Sequence, residues 1–244
     1  CIPRKSTVKG VMPIMQAVIL AGGNGTRLRP LIATVPKPML PLFDMPILEH
    51  SIRLLAKHGI RDIIITTSPY ADGLMDYFED GASWGVRIRY SVEHEPMGTA
   101  GAVKLPRKMI EDTFIVLSGD IVSDFDLKEA TTTHKSTSAI ATILLSEVDD
   151  PTQFGMVRCD STGRVSQFIE KPRSHAANSN TVSTGIYVFD PEVLSCIPYD
   201  EPCDFGRQLF PRMLNNQEPV YGISPKGYWC DVGNLANYRR LHTD

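Results

Sequence analysis

Gln16-Ala17-Val18-Ile19-Leu20-Ala21-Gly22-Gly23 is the stretch on which the fold reading rests. Its apolar run stops at Ala21-Gly22-Gly23, which predicts a buried strand entering a glycine-rich turn. Downstream, residues 46–58 read as a helix. Pro46 suits its first turn, Ile47, Leu48, Ile52, Leu54 and Leu55 form an apolar face, and Gly59 can cap its end. Asp62-Ile63-Ile64-Ile65-Thr66 reads as a second buried strand, and Phe114-Ile115-Val116-Leu117 as a third, ending in Ser118-Gly119-Asp120. Strands alternating with helices at this spacing imply an α/β fold with a mainly parallel sheet covered by helices on both faces.

The second half changes character. Ala139–Leu145, Met156–Cys159, Val165–Ile169 and Thr181–Val188 are strand-like, and helices are expected over 191–197, 204–214 and 233–242. No internal repeat and no low-complexity linker interrupts the chain, so one mixed α/β domain is expected. In open α/β sheets the ligand crevice lies beyond the carboxyl ends of the strands, where the glycine turn after Leu20 and Asp120 after Leu117 both fall.

Composition narrows the function. Of 244 residues, 42% are hydrophobic and 22% charged, and the net charge of -3 supplies no basic field for nucleic acid or anionic membrane. A phosphate ligand must therefore meet local cations. No apolar stretch approaches the roughly 20 residues of a membrane span. The five scattered cysteines contain no Cys-x-x-Cys pair, so reduced thiols and a cytoplasmic location are expected. The six histidines show no metal-like spacing. Residues 1–14 are mixed in character, lack an initiator Met and lack the apolar core of a secretory signal. They are set aside as an N-terminal extension or expression remnant.

Leu20-Ala21-Gly22-Gly23-Asn24-Gly25-Thr26-Arg27-Leu28-Arg29-Pro30, followed by Pro36-Lys37-Pro38-Met39, carries the chemistry. Glycines let backbone N–H groups approach phosphate oxygens. Arg27 offers a planar fork and Lys37 a point charge. A plain turn with solvated basic residues is the bland alternative. The pattern is not a Walker loop, and Leu28 stands where a dinucleotide fingerprint needs its third glycine.

Residues 20–39 resemble the signature of the sugar-nucleotide pyrophosphorylases, L-A-G-G-x-G-T-R-L-x-P-L-T followed by P-K-P, departing from it only at Ile32. The similarity runs from Met15 to about Leu241 and is greatest to the guanylyltransferases that act on mannose 1-phosphate. The resemblance implies a Rossmann-like nucleotidyltransferase fold, akin to the glycosyltransferase-A fold, over residues 15–244. It implies transfer of a nucleotidyl group from a nucleoside triphosphate to a sugar 1-phosphate with release of pyrophosphate. GTP and mannose 1-phosphate are the first expectation; glucose 1-phosphate with a thymidylyl or uridylyl donor is the alternative. Many family members continue past the point matching Asp244 into a left-handed β-helix or another enzyme domain, and self-association into a homo-oligomer is open.

By the same resemblance, Leu20, Ala21, Gly22, Gly23, Gly25 and Thr26 cradle the triphosphate, and Arg27 and Lys37 hold its phosphates. Glu95-Pro96-Met97-Gly98-Thr99-Ala100 reads on its own as a turn opening a short helix. Its likeness to E-P-L-G-T-A-G assigns Glu95, Gly98, Thr99 and Ala100 to the base and ribose pocket. Asp120 and Asp231, in G-D and W-x-D-[IV]-G motifs, are the implied Mg²⁺ ligands, consistent with a cation that takes one or two carboxylates. Read alone, Asp231 could equally cap the following helix. Glu170-Lys171-Pro172 resembles the triplet that grips the sugar phosphate, with Lys171 as a catalytic cation. Gly119, Gly155, Glu170, Ser183 and Thr184 complete the sugar-phosphate side. Ser183 is a departure, because the family usually places Asn there.

Two rival readings meet counter-evidence in the sequence. A catalytically silent regulatory subunit usually loses charged active-site residues, whereas Arg27, Lys37, Asp120, Lys171 and Asp231 are all present. A glycosyltransferase could use Asp124-Phe125-Asp126 as a metal motif. Asp126, however, stands three residues before Glu129, which favours a helix cap.

Overall fold

The computed structural model describes residues 15–23, 28, 31–32, 35–69, 71–174, 177–199 and 201–244; the expected extension at residues 1–14 lies outside them. The first half runs β1 (Gln16–Leu20), a two-strand hairpin of β2 (Pro41–Leu42) and β3 (Met45–Pro46), and α1 (Ile47–Lys57). It continues through β4 (Asp62–Thr67), α2 (Asp72–Phe78), β5 (Arg87–Val92), α3 (Gly98–Lys104), β6 (Phe114–Ser118) and β7 (Ile121–Ser123). The second half contains α4 (Leu127–Ser136), β8 (Ala141–Glu147), β9 (Gly155–Cys159), β10 (Val165–Glu170) and β11 (Thr181–Phe189). A π-helical turn (Phe205–Leu209) then leads into α5 (Phe210–Asn215), followed by β12 (Val220–Ile223), β13 (Trp229–Asp231) and α6 (Leu235–Leu241).

Among the described residues, nine strands form one mixed sheet. Strands β5, β4, β1 and β6 are parallel throughout, and β11 joins β6 antiparallel. The apolar run at β1 is continuous because the strand is buried on both faces. Ala17 and Ile19 enter a core with Leu48, Ile52, Ile65 and Leu117, while Val18 points the other way toward Ile64, Val103 and Val116. Period-two alternation thus divides one short segment between two cores.

Helix α1 covers the first core as its sequence predicts: Leu48, Ile52 and Leu55 are fully buried, and Gly59 adopts φ +78 just past its end. Glu49 on the same helix is also buried, where it accepts from Arg53 Nε at 2.7 Å and Tyr77 Oη at 2.9 Å. The α5 region departs from a simple helix. Pro211 has no N–H for the carbonyl four residues back, and the chain accommodates it by winding wider over the preceding turn.

Strand β11 bends where the sheet changes partners. Its register against β8 shifts between Ser183 and Tyr187, and Gly185 in that interval has φ +78. Residues Ile186–Phe189 pair with β6, whereas Val182 pairs with Met156 of β9. A glycine bulge of this kind re-aims the strand, here over the carboxyl end of β6. No helix among the described residues is long and apolar enough to cross a membrane.

The two-core arrangement yields a stability prediction. Ile19→Ala should lower the unfolding free energy by about 3 kcal/mol, because a buried aliphatic side chain is replaced by a cavity. Phe43→Ala, at a position 65% exposed, should change it by no more than about 0.5 kcal/mol. Urea unfolding of both variants checks the contrast.

Candidate active site

The carboxyl ends of β1 and β6 are stitched together by the backbone. Gly119 N–H donates to Leu20 O at 2.8 Å, and Ala21 N–H donates to Thr66 O at 2.8 Å. A Cβ at Gly119 would lie 2.6 Å from Leu20 O, so only glycine permits this approach. The approach places Asp120 beside the glycine turn.

Lys37 reaches the same point from a short turn, Lys37–Met39, and forms an ion pair with Asp120. Ser118 Oγ donates to the other carboxylate oxygen at 2.5 Å. Burial works to raise the pKa of Asp120, but the Lys37 ammonium and the Ser118 hydroxyl outweigh it and hold the carboxyl below its usual range. Asp231 arrives through the β7–β13 ladder, in which it pairs with Ile121, while Val232 N–H donates to Asp120 O at 2.8 Å. Asn237 Nδ2 donates to Asp231 Oδ1 at 2.7 Å. The cap of α6 is Asn234, whose side chain accepts from Asn237 N–H at 2.9 Å, so the capping alternative for Asp231 does not hold. Among the described residues no group of three or more His, Cys, Asp or Glu side chains could hold a metal. Two hard carboxylate donors lining one pocket do fit a small divalent cation that completes its shell with water and substrate phosphate.

Two cavities meet here. The larger, about 740 Å³, is lined by Leu20, Ala21, Gly22, Gly23, Lys37, Gly98 and Thr99, all predicted contacts, and by Glu93. Gly98 adopts φ +72, and a Cβ there would sit 2.6 Å from Cys203 O, so the turn into α3 requires glycine. Ala100 is buried beneath the cavity, with its N–H on Cys203 O at 2.9 Å. Glu95 is exposed and does not line the cavity; the carboxylate that does is Glu93. Burial raises the pKa of Glu93, partly offset by the Met97 N–H that donates to it at 3.3 Å. The predicted contacts Gly25, Thr26 and Arg27 lie outside the described residues.

The smaller cavity, about 190 Å³, is lined by Asp120, Asp231, Gly155, Glu170, Ser183 and Thr184, as predicted. Aromatic walls come from Phe154, Phe168, Tyr187 and Trp229. A Cβ at Gly155 would lie 2.4 Å from the Phe168 ring, so this glycine leaves room for that wall. Burial raises the pKa of Glu170, and the nearby charge of Asp204 adds to the effect, with Lys171 and Arg207 opposing. Ser183 Oγ donates to Tyr187 Oη at 3.1 Å, and Thr184 Oγ1 is turned away to Leu144 O at 2.8 Å. Gly119 does not line either cavity; it supports the β1–β6 contact beneath them.

Lys171 stands apart. It is exposed, its ammonium lies 3.9 Å from Glu170, and its backbone adopts φ +48. Its N–H donates to Phe154 O at 2.8 Å, which holds a left-handed conformation that non-glycine residues seldom adopt. The Asp124-Phe125-Asp126 stretch is engaged elsewhere: Asp126 caps α4 through Lys128 N–H at 2.9 Å, and Asp124 accepts from Tyr228 N–H at 2.5 Å. Beyond Glu93, the sequence reading missed Asp204. It caps the π-helical turn, accepts from Thr99 Oγ1 at 3.1 Å and lines both cavities. An aspartate standing directly ahead of the apolar helical run was the available signal.

The sequence profile described as nucleotidyl transferase matches residues 16–244. A UTP–glucose-1-phosphate uridylyltransferase of Synechocystis is 37% identical over 92% of this chain and 61% of its own length. A mannose-1-phosphate guanyltransferase of Debaryomyces hansenii is 36% identical over 92% of this chain and 62% of its own length. The chain thus spans about three-fifths of these relatives. A crystal structure of a putative glucose-1-phosphate thymidylyltransferase from Bacillus anthracis, in complex with a sucrose, superposes with a TM-score of 0.85 at 27% identity, covering 94% of each chain. The chain belongs to the nucleotidyl transferase family.

Proposed function

We propose that this chain transfers a nucleotidyl group from a nucleoside triphosphate to a sugar 1-phosphate, with GTP and mannose 1-phosphate as the substrates. The observation that carries the reading is the ion pair between the cavities: Lys37 lines the larger, Asp120 lines the smaller, and the two side chains join them. A nucleotide in the larger cavity and a sugar phosphate in the smaller would meet at that pair.

In the proposed reaction an oxygen of the sugar 1-phosphate attacks the α-phosphorus of the triphosphate in line. The new P–O bond forms as the bond to the β-phosphate oxygen breaks, and pyrophosphate leaves. Both reactants are anions, so the enzyme's task is positioning and charge compensation. The Lys37 ammonium has three N–H donors, and those not used by Asp120 are available to phosphate oxygens. Arg27 and Lys171 supply further cations in this reading. Glu170 accepts hydrogen bonds from the sugar's hydroxyls, and the aromatic walls exclude water around its ring. Mg²⁺, held by Asp120 and Asp231, would offset phosphate charge when bound.

Glu93 supports guanine. An ionised carboxylate only accepts hydrogen bonds, and guanine presents adjacent donors at N1 and N2. Uracil and thymine present one N–H between two carbonyls, which leaves a carboxylate facing acceptors. The uridylyl and thymidylyl relatives, together with Ser183 in place of Asn, support the second reading, in which glucose 1-phosphate and a pyrimidine nucleotide are used.

Four measurements test this. Pyrophosphate release with Mg²⁺ across a grid of triphosphates and sugar 1-phosphates should be greatest for GTP with mannose 1-phosphate. A UTP or dTTP maximum with glucose 1-phosphate would select the second reading, and silence throughout a folded protein would end both. Asp120→Asn, which retains a partner for Ser118, should cut turnover by at least about 100-fold while leaving the fold intact by circular dichroism. Glu93→Gln should shift the GTP/UTP ratio of kcat/KM toward UTP by about 10-fold or more. Because burial raises the pKa of Glu93, lowering the pH protonates it sooner than an ordinary carboxyl. The KM for GTP should therefore climb on the acid side in the wild type and stay flatter in Glu93→Gln.

A further inference from the structure

A third cavity, about 290 Å³, lies on the outer side of α3 and takes no part in the proposed reaction. Lys104, Arg107 and Tyr199 line it together with the apolar side chains of Met97, Leu105 and Pro198. Both of its charged lining residues are cations, and no carboxylate is among the described residues that line it. Lys104 Nζ donates to Ile197 O, and Arg107 Nη2 donates to Tyr199 Oη at 2.6 Å. The guanidinium carbon stands 4.5 Å from the centroid of the Tyr199 ring, an aromatic side chain left 62% exposed. Among the described residues each of these cations makes one hydrogen bond, which leaves most of their donors for a ligand, since a guanidinium has five and an ammonium three. A fork and a point charge in one depression suit a phosphate dianion. The remaining volume and the apolar walls suit a body the size of a sugar ring.

This cavity is mechanically joined to the reaction cavities. One face of α3 lines the nucleotide cavity through Gly98, Thr99 and Ala102, and its other face lines this one through Gly101 and Lys104. Ile197, Tyr199, Cys203 and Phe205 are tied to the helix and the turn that follows it by a clasp of hydrogen bonds. Cys203 N–H donates to Met97 O at 2.8 Å, and Cys203 O accepts from Ala100 and Gly101 at 2.9 and 3.1 Å. At the inner end of the clasp, Phe205 N–H donates to Thr99 Oγ1 at 2.8 Å, and Thr99 donates to Asp204 at 3.1 Å. At the outer end stand the bonds of Lys104 and Arg107 to Ile197 and Tyr199. Gly98 leaves no slack, since a single added carbon would strike Cys203. A phosphate seated on the remaining donors also competes with Ile197 O and Tyr199 Oη for the same two cations, and so pulls on a clasp whose other end is Thr99 and Asp204.

We propose that this cavity is a regulatory site for a small phosphomonoester, its phosphate held by Arg107 and Lys104, whose binding weakens nucleotide binding through the clasp. The proposal goes beyond the reaction itself, and its binding step does not depend on which substrates are used.

Ribose 5-phosphate is a suitable probe, because it carries no anomeric phosphate to serve as an acceptor. Calorimetry on the full chain should detect its binding. Arg107→Gln and Lys104→Gln, each checked for an unchanged melting temperature, should weaken it by about 10-fold or more. Hydrogen exchange should slow around residues 104–109 on binding. In turnover assays, saturating ribose 5-phosphate should raise the KM for the triphosphate by about 5-fold in the wild type and not in the variants. Equal binding to wild type and variants, with protection at residues 154–155 instead, would mean occupation of the sugar cavity and overturn the proposal. So would absence of binding by both ribose 5-phosphate and inorganic phosphate. Binding at residues 104–109 without a change in KM would refute regulation. A chain with no turnover on any substrate pair would sink the proposed reaction but leave the calorimetric result to judge the site.

Discussion

The Lys37 ammonium and the Asp120 carboxylate occupy a shared position between two cavities, and much of the molecule serves to hold them there. A charge withdrawn from water is costly unless it is paired, and the pairing here draws on segments far apart in the chain. Asp120 is set by the β6 end, pressed against Leu20 through Gly119, and is braced by Ser118. Lys37 comes from a proline-flanked turn whose neighbour Pro38 is buried. Asp231 is zipped in from the far end of the chain by the β7–β13 ladder. The parallel sheet is the reason these ends coincide: the carboxyl ends of parallel strands share an edge, and both loops open onto it.

The smaller cavity follows a different logic. Its walls come from antiparallel strands, and its shape depends on the bend in β11 at Gly185, where the strand changes partners. The bend brings Ser183 and Thr184 to the cavity while Ile186, Val188 and Phe189 remain in the core. The larger cavity is built on the parallel strands and the smaller on a re-aimed strand. The names of the similar proteins differ in both base and sugar.

Much of the fold was legible because the deciding segments are buried on both faces and therefore continuously apolar: β1, β4 and β6 were read within a residue or two of their observed ends. The edge strand β5, Arg87-Ile88-Arg89-Tyr90-Ser91-Val92, was not read. Only one face of it is apolar, and its arginines serve Asp62 of the neighbouring strand. The short β7 and β13 were missed for a related reason, since each is a strand only because the other pairs with it. At the site, motif residues such as Gly22, Lys37, Gly98, Asp120, Glu170 and Asp231 were legible through the resemblance. Glu95 was favoured over Glu93 because a motif marks neighbours along the chain and does not say which carboxylate turns inward. Asp204 carried only the marks of a helix cap.

By itself the sequence determined the local states of the doubly buried strands and of the glycine turns, and which phosphate-binding chemistry the residues can support. Backbone preference and hydrophobic period act over a few residues and are written in the chain directly. Only the tertiary structure decided that Lys37 pairs with Asp120, that Asp231 stands beside Asp120 instead of capping α6, and that Asp204 belongs to both cavities. Those outcomes depend on which strand ends come together and how burial shifts the charges placed there, and neither is a property of any segment taken alone.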